Sequence, residues 1–205
     1  MERKLRMSSY RWIAKYLLVV VASLGLVGCG INNIPTYDEN AEAKWRQVEN
    51  QYKRRADLIP NLVNTVKGYA KHEREVLNEV VEARSRATSM TLPADISTNA
   101  EALKLFQENQ QTLSSALSRL LVTVERYPDL KASENFRTLQ SQLEGTENRI
   151  AVARRDFIEA VRAYNTELRT YPGKWWKTYL YPDAEPRESL TIEEADRAKP
   201  QVSFD

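Results

Sequence analysis

Cys29, the single cysteine of the chain, is the residue whose chemistry is easiest to assign. It follows a basic segment, an apolar run from Leu17 to Leu26, and the small residue Gly28. Such a short run suits the core of a signal peptide, because a helix that spans a bilayer needs about 20 apolar residues. Small residues give a peptidase access to the bond before the cysteine, and the thiol can carry diacylglycerol. The pattern predicts a lipoprotein signal peptide over residues 1–28 and lipidation at Cys29.

The alternative for this segment is an uncleaved anchor helix from Ile13 to Ile34, in which Cys29 has no role. A lipoprotein carries more than one acyl chain, and several chains anchor a protein stably where a single chain is marginal. Gly30 follows the cysteine, whereas an aspartate there would signal retention in the inner membrane of many Gram-negative bacteria. We therefore expect a lipid-anchored membrane protein exposed outside the cytoplasm. In a Gram-negative host it would sit on the outer membrane and face the periplasm.

Side chains suited to catalysis or metal binding are scarce. His72 is the one histidine, whereas zinc sites and di-iron bundles need several histidine, cysteine or paired glutamate ligands. A nucleophilic triad needs a base beside a serine or cysteine. We interpret His72, which is next to Glu73, as a surface residue and not as such a base. The sequence also lacks a glycine-rich phosphate loop. It predicts no catalytic residue, no metal, no cofactor and no enzymatic activity.

The formal net charge of +2 comes from the N-terminal segment. Residues 1–28 contain five Lys or Arg and one Glu, which leaves the rest of the chain at −2. A domain that binds nucleic acid usually carries a marked positive charge. We therefore expect no nucleic-acid partner.

Apolar residues spaced by three and four dominate the rest of the chain and indicate helix. The pattern predicts three long helices: the stretch Asp38–Thr88, a helix from the cap Asn99 to Pro128, and one from the cap Ser133 to Pro172. We found no segment with the period of two that a half-buried strand requires. Because the repeat persists over many turns and the connections are short, we expect an all-α, antiparallel bundle with coiled-coil-like packing.

The chain therefore divides into four parts. Residues 1–28 are the signal peptide and residues 29–37 a tether. Residues 38–172 form the helical bundle domain. Residues 173–205 begin with an aromatic segment and continue as a polar, proline-containing tail whose composition predicts disorder.

Pro60 lies inside the first helical stretch, where a proline removes one backbone hydrogen bond and clashes with the preceding turn. The helix either kinks there, or it ends near Arg55 and restarts with Asp57 as its cap, which makes four helices. The apolar repeat keeps its phase across Pro60, which favours the kink. Since proline has no N–H, the carbonyl of Ala56 should lose its helical partner.

Arg55 occupies a core position of the repeat, in the series Trp45, Val48, Tyr52, Arg55 and Ile59. A buried guanidinium needs a carboxylate or carbonyl partner. Asp57 is only two residues away and cannot share its face, so Glu147 or Glu73 is the expected partner, with the carbonyls freed by Pro60 as further candidates. We expect Arg55 to fix helix register and not to bind a substrate.

Two groups of residues are candidates for contacts with partners. Lys53 and Arg54 form either a solvated basic face or a site for anionic headgroups or an acidic partner. Trp175 and Trp176 begin an aromatic and basic segment with three possible roles. It plugs one end of the bundle, rests on a membrane interface, or fills a groove on a partner.

Four segments resemble the LemA family. They are Trp45–Leu62 (WRQVENQYKRRADLIPNL), Thr65–Ala70 (TVKGYA), Glu125–Ala132 (ERYPDLKA) and Leu143–Ile150 (LEGTENRI). The resemblance covers approximately residues 34–172. It implies a helical bundle exposed outside the cytoplasm on a membrane tether, in a family without an established activity. Many relatives are tethered by a transmembrane helix and end in a more aliphatic segment, so the lipobox and the aromatic tail of this chain differ from them.

Three functions remain open at this point. The favoured one is a non-enzymatic interaction or scaffold module, tethered at the cell envelope and bound to an unknown envelope protein. The second is a module that holds a small or lipidic ligand between its helices, which would require an apolar cavity open to solvent. An enzyme comes third, because it would require convergent polar groups with perturbed pKa values.

Overall fold

The computed structural model describes Tyr16, residues 30–90, Pro93 and residues 96–191. This part of the chain is helical and contains no strand, as the apolar periodicity predicts. The elements are α1 (Asn33–Tyr69), α2 (Arg74–Ser89), a short 3-10 helix (Ile96–Thr98), α3 (Ala100–Val124), α4 (Pro128–Ala132), α5 (Glu134–Glu167) and α6 (Gly173–Tyr179). The signal peptide and Cys29 lie outside the described residues. Within the described residues, no helix is both long enough and apolar enough to cross a membrane.

The starts of α3 and α4 follow from local chemistry. Asn99 caps α3, since its side chain accepts a hydrogen bond of 2.9 Å from the backbone N–H of Ala102. Pro128 stands in the first turn of α4, where a missing N–H has no effect on the helix. The short helix α4 therefore occupies the predicted connection between the second and third long helices.

The four long helices pack as two pairs, α1 with α5 and α2 with α3. Three side-chain pairs join α1 to α5, and they run in opposite order along the two helices: Asn33 with Glu167, Lys44 with Asp156, and Arg55 with Glu147. Two helices of opposite chain direction produce this order.

The core consists of an aromatic half and an aliphatic half. In the aromatic half, the rings of Trp45 and Phe106 lie edge to face with centroids 5.2 Å apart, and those of Trp45 and Phe157 are 5.3 Å apart. In the aliphatic half, Leu62 and Leu120 are completely buried among branched side chains. Arg55 is buried as well and lies on α1 between residues of the two halves.

The first helical stretch agrees with the favoured prediction at Pro60 and differs from the prediction at two other places. Helix α1 continues through Pro60, so the chain does not split there. It ends instead at Tyr69, and residues 70–73 form a turn that leads into α2. The apolar repeat concealed this reversal, because both halves carry the same spacing and α2 folds back to bury Leu77 and Val80. Helix α1 also begins at Asn33, so residues 33–37 are helical and do not form part of a flexible tether.

The first part of the tail is also ordered, contrary to its polar composition. Residues 180–191, which we call the C-terminal strap, run along the bundle and bury Leu190 in the aromatic half of the core. Residues 192–205 of the expected disordered tail lie outside the described residues.

Candidate interaction surfaces

Arg55 is the centre of a buried polar network. Its side chain is 1% exposed. One terminal nitrogen donates to Glu147 Oε1 at 2.8 Å and to Ser114 Oγ at 2.9 Å. The other donates to Gln110 Oε1 at 2.7 Å, and the guanidinium carbon lies 5.0 Å from the centre of the Tyr52 ring. The network thus joins α1, α3 and α5 across the middle of the bundle.

Glu147 is one of the two carboxylates expected to pair with Arg55. Glu73, the other, lies at the turn between α1 and α2, where it accepts a hydrogen bond from the Tyr127 hydroxyl at 2.8 Å and forms an ion pair with Arg126 at 3.1 Å. Glu73 therefore ties this turn to the connection between α3 and α4. Both acids support the fold, and Arg55 is not available to a substrate.

The backbone carbonyl freed by Pro60 finds its partner on another helix. Nε of Arg84 in α2 donates to the carbonyl of Ala56 at 2.8 Å. The expectation that this carbonyl needs a new donor is therefore correct, but the donor is not Arg55. By supplying the missing hydrogen bond, α2 allows α1 to remain helical through the proline.

We predict that Arg84→Met lowers the free energy of unfolding by about 1 kcal/mol, because it leaves the Ala56 carbonyl without a donor. In a Pro60→Ala background, residue 60 has an N–H that can reach that carbonyl, so the same substitution should have a smaller effect. Urea unfolding of the four variants as a double-mutant cycle measures this coupling. An equal loss in both backgrounds would contradict the assignment.

Lys53 and Arg54, the basic pair singled out in the sequence, are exposed on α1. Neither makes an ion pair with another described residue. Lys53 borders a shallow cleft of about 330 Å³ together with Glu49 and Asp57. Desolvation in this region raises the pKa of Glu49. The pair is accessible to a partner, but two neighbouring acids reduce its positive field.

A second basic surface lies where α1 and α2 meet, and the sequence did not indicate it. Three exposed cations, Lys67, Lys71 and Arg74, surround a groove of about 510 Å³. The apolar wall of this α1–α2 groove is formed by Val63, Leu77 and Val81. Among the described residues, none of the three cations has an acidic partner. The groove thus combines free positive charge with accessible apolar area, a combination that sequence spacing alone could not reveal.

The aromatic segment after Pro172 forms α6, and its two tryptophans point in different directions. Trp176 is half-buried and packs with Tyr181 against Ile34 and Leu168 at the end of the bundle. Trp175 is 56% exposed and lies next to Tyr171, with ring centroids 4.9 Å apart. One tryptophan therefore closes the bundle and the other remains free for an external contact.

Arg187 is a buried cation that the sequence analysis missed. Its Nε donates to Asp38 at 2.8 Å, its guanidinium donates to Ser97, and it lies 5.7 Å from the centre of the Tyr164 ring. The side chain of Asn165 exchanges two hydrogen bonds with the backbone of Arg187, at 2.8 and 2.9 Å. These contacts hold the C-terminal strap on the bundle. No periodic pattern surrounds Arg187, so nothing local in the sequence indicated its burial.

The groups with shifted pKa values are all explained by the fold. Burial raises the pKa of the Tyr52 hydroxyl. The hydrogen bond to Glu73 raises the pKa of Tyr127. His72 is exposed in the turn between α1 and α2, and the described residues contain no group of His, Asp or Glu side chains that could hold a metal ion. We find no nucleophile paired with a base in this part of the chain.

Comparisons with known proteins identify relatives of this chain by sequence. The chain is similar to the magnetosome protein MamQ 2 of Paramagnetospirillum magneticum, at 25% identity over 175 residues, which covers 78% of this chain and 64% of that protein. It is similar to MamQ of Magnetospirillum gryphiswaldense at 24% identity, covering 78% of this chain and 65% of the relative. Protein LemA of Metamycoplasma hominis is 21% identical over 123 residues, covering 58% of this chain and 50% of that protein. The chain thus spans less than two thirds of the length of these curated relatives.

The match to a family model covers about the same share of this chain as the match to the MamQ relatives. Residues 44–204, well over half of the chain, match the sequence model of the LemA family. This range includes the Arg55 network, the α1–α2 groove and the C-terminal strap. The chain belongs to the LemA family.

Proposed function

We propose that this protein is a lipid-anchored, non-enzymatic interaction module of the cell envelope. Membership of the LemA family and the MamQ relatives support membrane association and a role without catalysis. The observation that carries the proposal is the distribution of charge. The buried cations Arg55 and Arg187 are bound within the fold. Lys67, Lys71 and Arg74, by contrast, are exposed and have no acidic partner among the described residues, so a partner could reach them.

The α1–α2 groove is the surface we propose for the partner. Val63 lies 30 residues along α1 from Asn33, which corresponds to about 45 Å at a rise of 1.5 Å per residue. An anchor at Cys29 would therefore hold the groove well away from the membrane surface. A long rigid bundle is suited to presenting the groove to a partner in the periplasm or in the space outside the cell.

The chemistry of the α1–α2 groove defines the partner class. An amphipathic helix with an acidic face would place its apolar residues on Val63, Leu77 and Val81 and its carboxylates beside Lys67 and Lys71. Because the three cations are exposed, salt should weaken this attraction.

The anchor is tested by Cys29→Ser. If Cys29 is lipidated, the wild-type protein should partition into detergent with its acyl chains, and the variant should accumulate as an unprocessed precursor. Globomycin, which blocks the lipoprotein signal peptidase, should have the same effect on processing in wild type. A mature protein with an unmodified Cys29 thiol would overturn the anchor.

The groove is tested by charge reversal and crosslinking in intact cells. The double variant Lys67→Glu with Lys71→Glu should lose the crosslinked partner, whereas Lys53→Glu with Arg54→Glu makes the same change in charge and should retain it. Loss of the partner only in the second variant would move the binding site to Lys53 and Arg54. If both variants captured the partner as well as the wild type does, neither basic surface would recognise it.

The same groove supports a second candidate, a module that binds a small anionic amphiphile. Its volume of about 510 Å³ and its cationic rim suit a ligand with a short apolar body and an acidic head. Native mass spectrometry of protein extracted from membranes separates the two. A bound small molecule that is lost in the Lys67→Glu, Lys71→Glu variant would favour the ligand-binding module over the interaction module.

A further inference from the structure

We propose that the exposed aromatic face of α6 lies in the interface of the membrane that carries the lipid anchor, as a second contact beside the acyl chains. This inference rests on the proposed anchoring at Cys29. It adds that the end of the bundle that carries α6 touches the bilayer. This second contact would limit how far the bundle can tilt.

The position of α6 is the first argument. A Cβ atom added to Gly30 would lie 3.5 Å from the ring of Pro172, immediately before α6. Asn33 at the start of α1 donates to Glu167 at the end of α5 at 3.2 Å. Gly30, which directly follows Cys29 in the sequence, therefore lies beside the start of α6. A lipid on Cys29 would bring this end of the bundle to the membrane.

The division of the aromatic residues is the second argument. Trp176 and Tyr181 are turned inward and complete the small core around Ile34. Trp175 and Tyr179 are four residues apart on one face of α6, and Tyr179 is 78% exposed. Since the end of the bundle is already closed by the inward pair, its own packing does not explain the outward aromatic residues.

Two further exposed residues extend this aromatic face beyond α6, Tyr171 before the helix and Leu180 after it. Tryptophan and tyrosine prefer the headgroup region of a bilayer, where the ring is shielded from water and the polar edge remains hydrated. The exposed set matches this composition, with one tryptophan, two tyrosines and one leucine.

The surrounding charge is the third argument. Lys174 lies with its ammonium group 5.8 Å from the Tyr171 ring centre, and Lys177 follows one turn later on α6. Neither lysine makes an ion pair with a described residue. The acids on the following segment, Asp183 and Glu185, line a cleft that also contains Arg187 and is bordered by Leu180. An aromatic face with unpaired lysines suits an anionic membrane surface better than the same face of a second copy, whose lysines would repel it.

The test uses the mature lipidated protein, reconstituted in vesicles of phosphatidylcholine and phosphatidylglycerol. Because processing removes residues 1–28, its tryptophans are Trp45, Trp175 and Trp176. Lipids brominated near the headgroup should quench the fluorescence of Trp175, and Trp175→Phe should abolish most of this quenching. Trp45→Phe is the matched control: Trp45 is buried in the aromatic half of the core, so the quenching by lipid should remain.

Flotation of the same vesicles separates the inference from the anchor on which it rests. Protein that floats but shows quenching unaffected by Trp175→Phe would overturn the membrane contact of α6 and leave the anchor intact. Protein that does not float would overturn both. Crosslinking between two copies through a Tyr179→Cys substitution, together with absent quenching, would assign the face to a second copy of this chain.

Discussion

Arg55→Leu should lower the free energy of unfolding by about 2–4 kcal/mol, as the loss of a hydrogen-bonded buried cation does. Leucine fills part of the same space, but the Gln110 side-chain oxygen and the Ser114 hydroxyl lose their donor inside the bundle. Glu147 is half-exposed and regains water, which keeps the loss below that of a fully buried pair. Urea unfolding of residues 30–205 measures the difference.

Arg54→Leu is the matched control for Arg55→Leu, since it makes the same substitution one residue earlier on an exposed position. It should change the free energy of unfolding by less than about 0.5 kcal/mol. Partner capture on crosslinked membranes provides the second measurement. If Arg55→Leu kept its stability and lost the partner, Arg55 would belong to a binding surface and our structural assignment would be wrong.

The role of Arg55 could be predicted from sequence because periodicity constrains it. A charged residue at a core position of the repeat must be neutralised in the interior. Few carboxylates lie at the same level along the bundle axis as Arg55. Glu147 was therefore one of the two partners identified in advance, together with Glu73. The freed carbonyl of Ala56 was identifiable for a similar reason, since proline lacks an N–H. Its donor was not, because the sequence did not reveal that α2 folds back beside α1 and brings Arg84 within reach.

The turn at residues 70–73 shows where periodicity fails. An apolar repeat records which face of a helix is buried and carries no information about a reversal that keeps the same face buried. Val66 before the turn and Leu77 after it both contact the aliphatic half of the core. The α1–α2 groove exists only because of this reversal, so its three cations could not be recognised as one surface from their spacing.

The aromatic segment illustrates an intermediate case. Composition correctly indicated that this segment differs from the bundle, and two of the roles weighed were a plug and a membrane contact. Trp176 forms the plug, while Trp175 remains exposed. Neighbouring tryptophans on a helix are separated by about 100°, so two adjacent residues of the same type face different surroundings. The choice between them depends on which face α1 covers, and composition does not contain that information.

Arg187→Met should release the C-terminal strap and lower the free energy of unfolding by about 1–3 kcal/mol. Methionine retains much of the apolar stem but cannot donate to Asp38 or Ser97, which leaves the Ser97 side chain in a buried site with one donor fewer. The loss should be local at first, because residues 180–191 form no regular helix beyond their contacts with the bundle.

Hydrogen exchange followed by mass spectrometry measures this release directly. In wild type the amide of Glu188 donates to the Ser97 carbonyl at 2.5 Å and the amide of Arg187 donates to Asn165 at 2.9 Å, so both should exchange slowly. Arg187→Met should speed exchange across the strap and leave α1 and α5 protected. Arg155→Met is the control, since Arg155 is exposed and among the described residues forms an ion pair only with its neighbour Asp156, and its exchange pattern should match wild type. A strap that stays protected in Arg187→Met would mean that Leu190 alone holds it, through its burial in the aromatic half of the core.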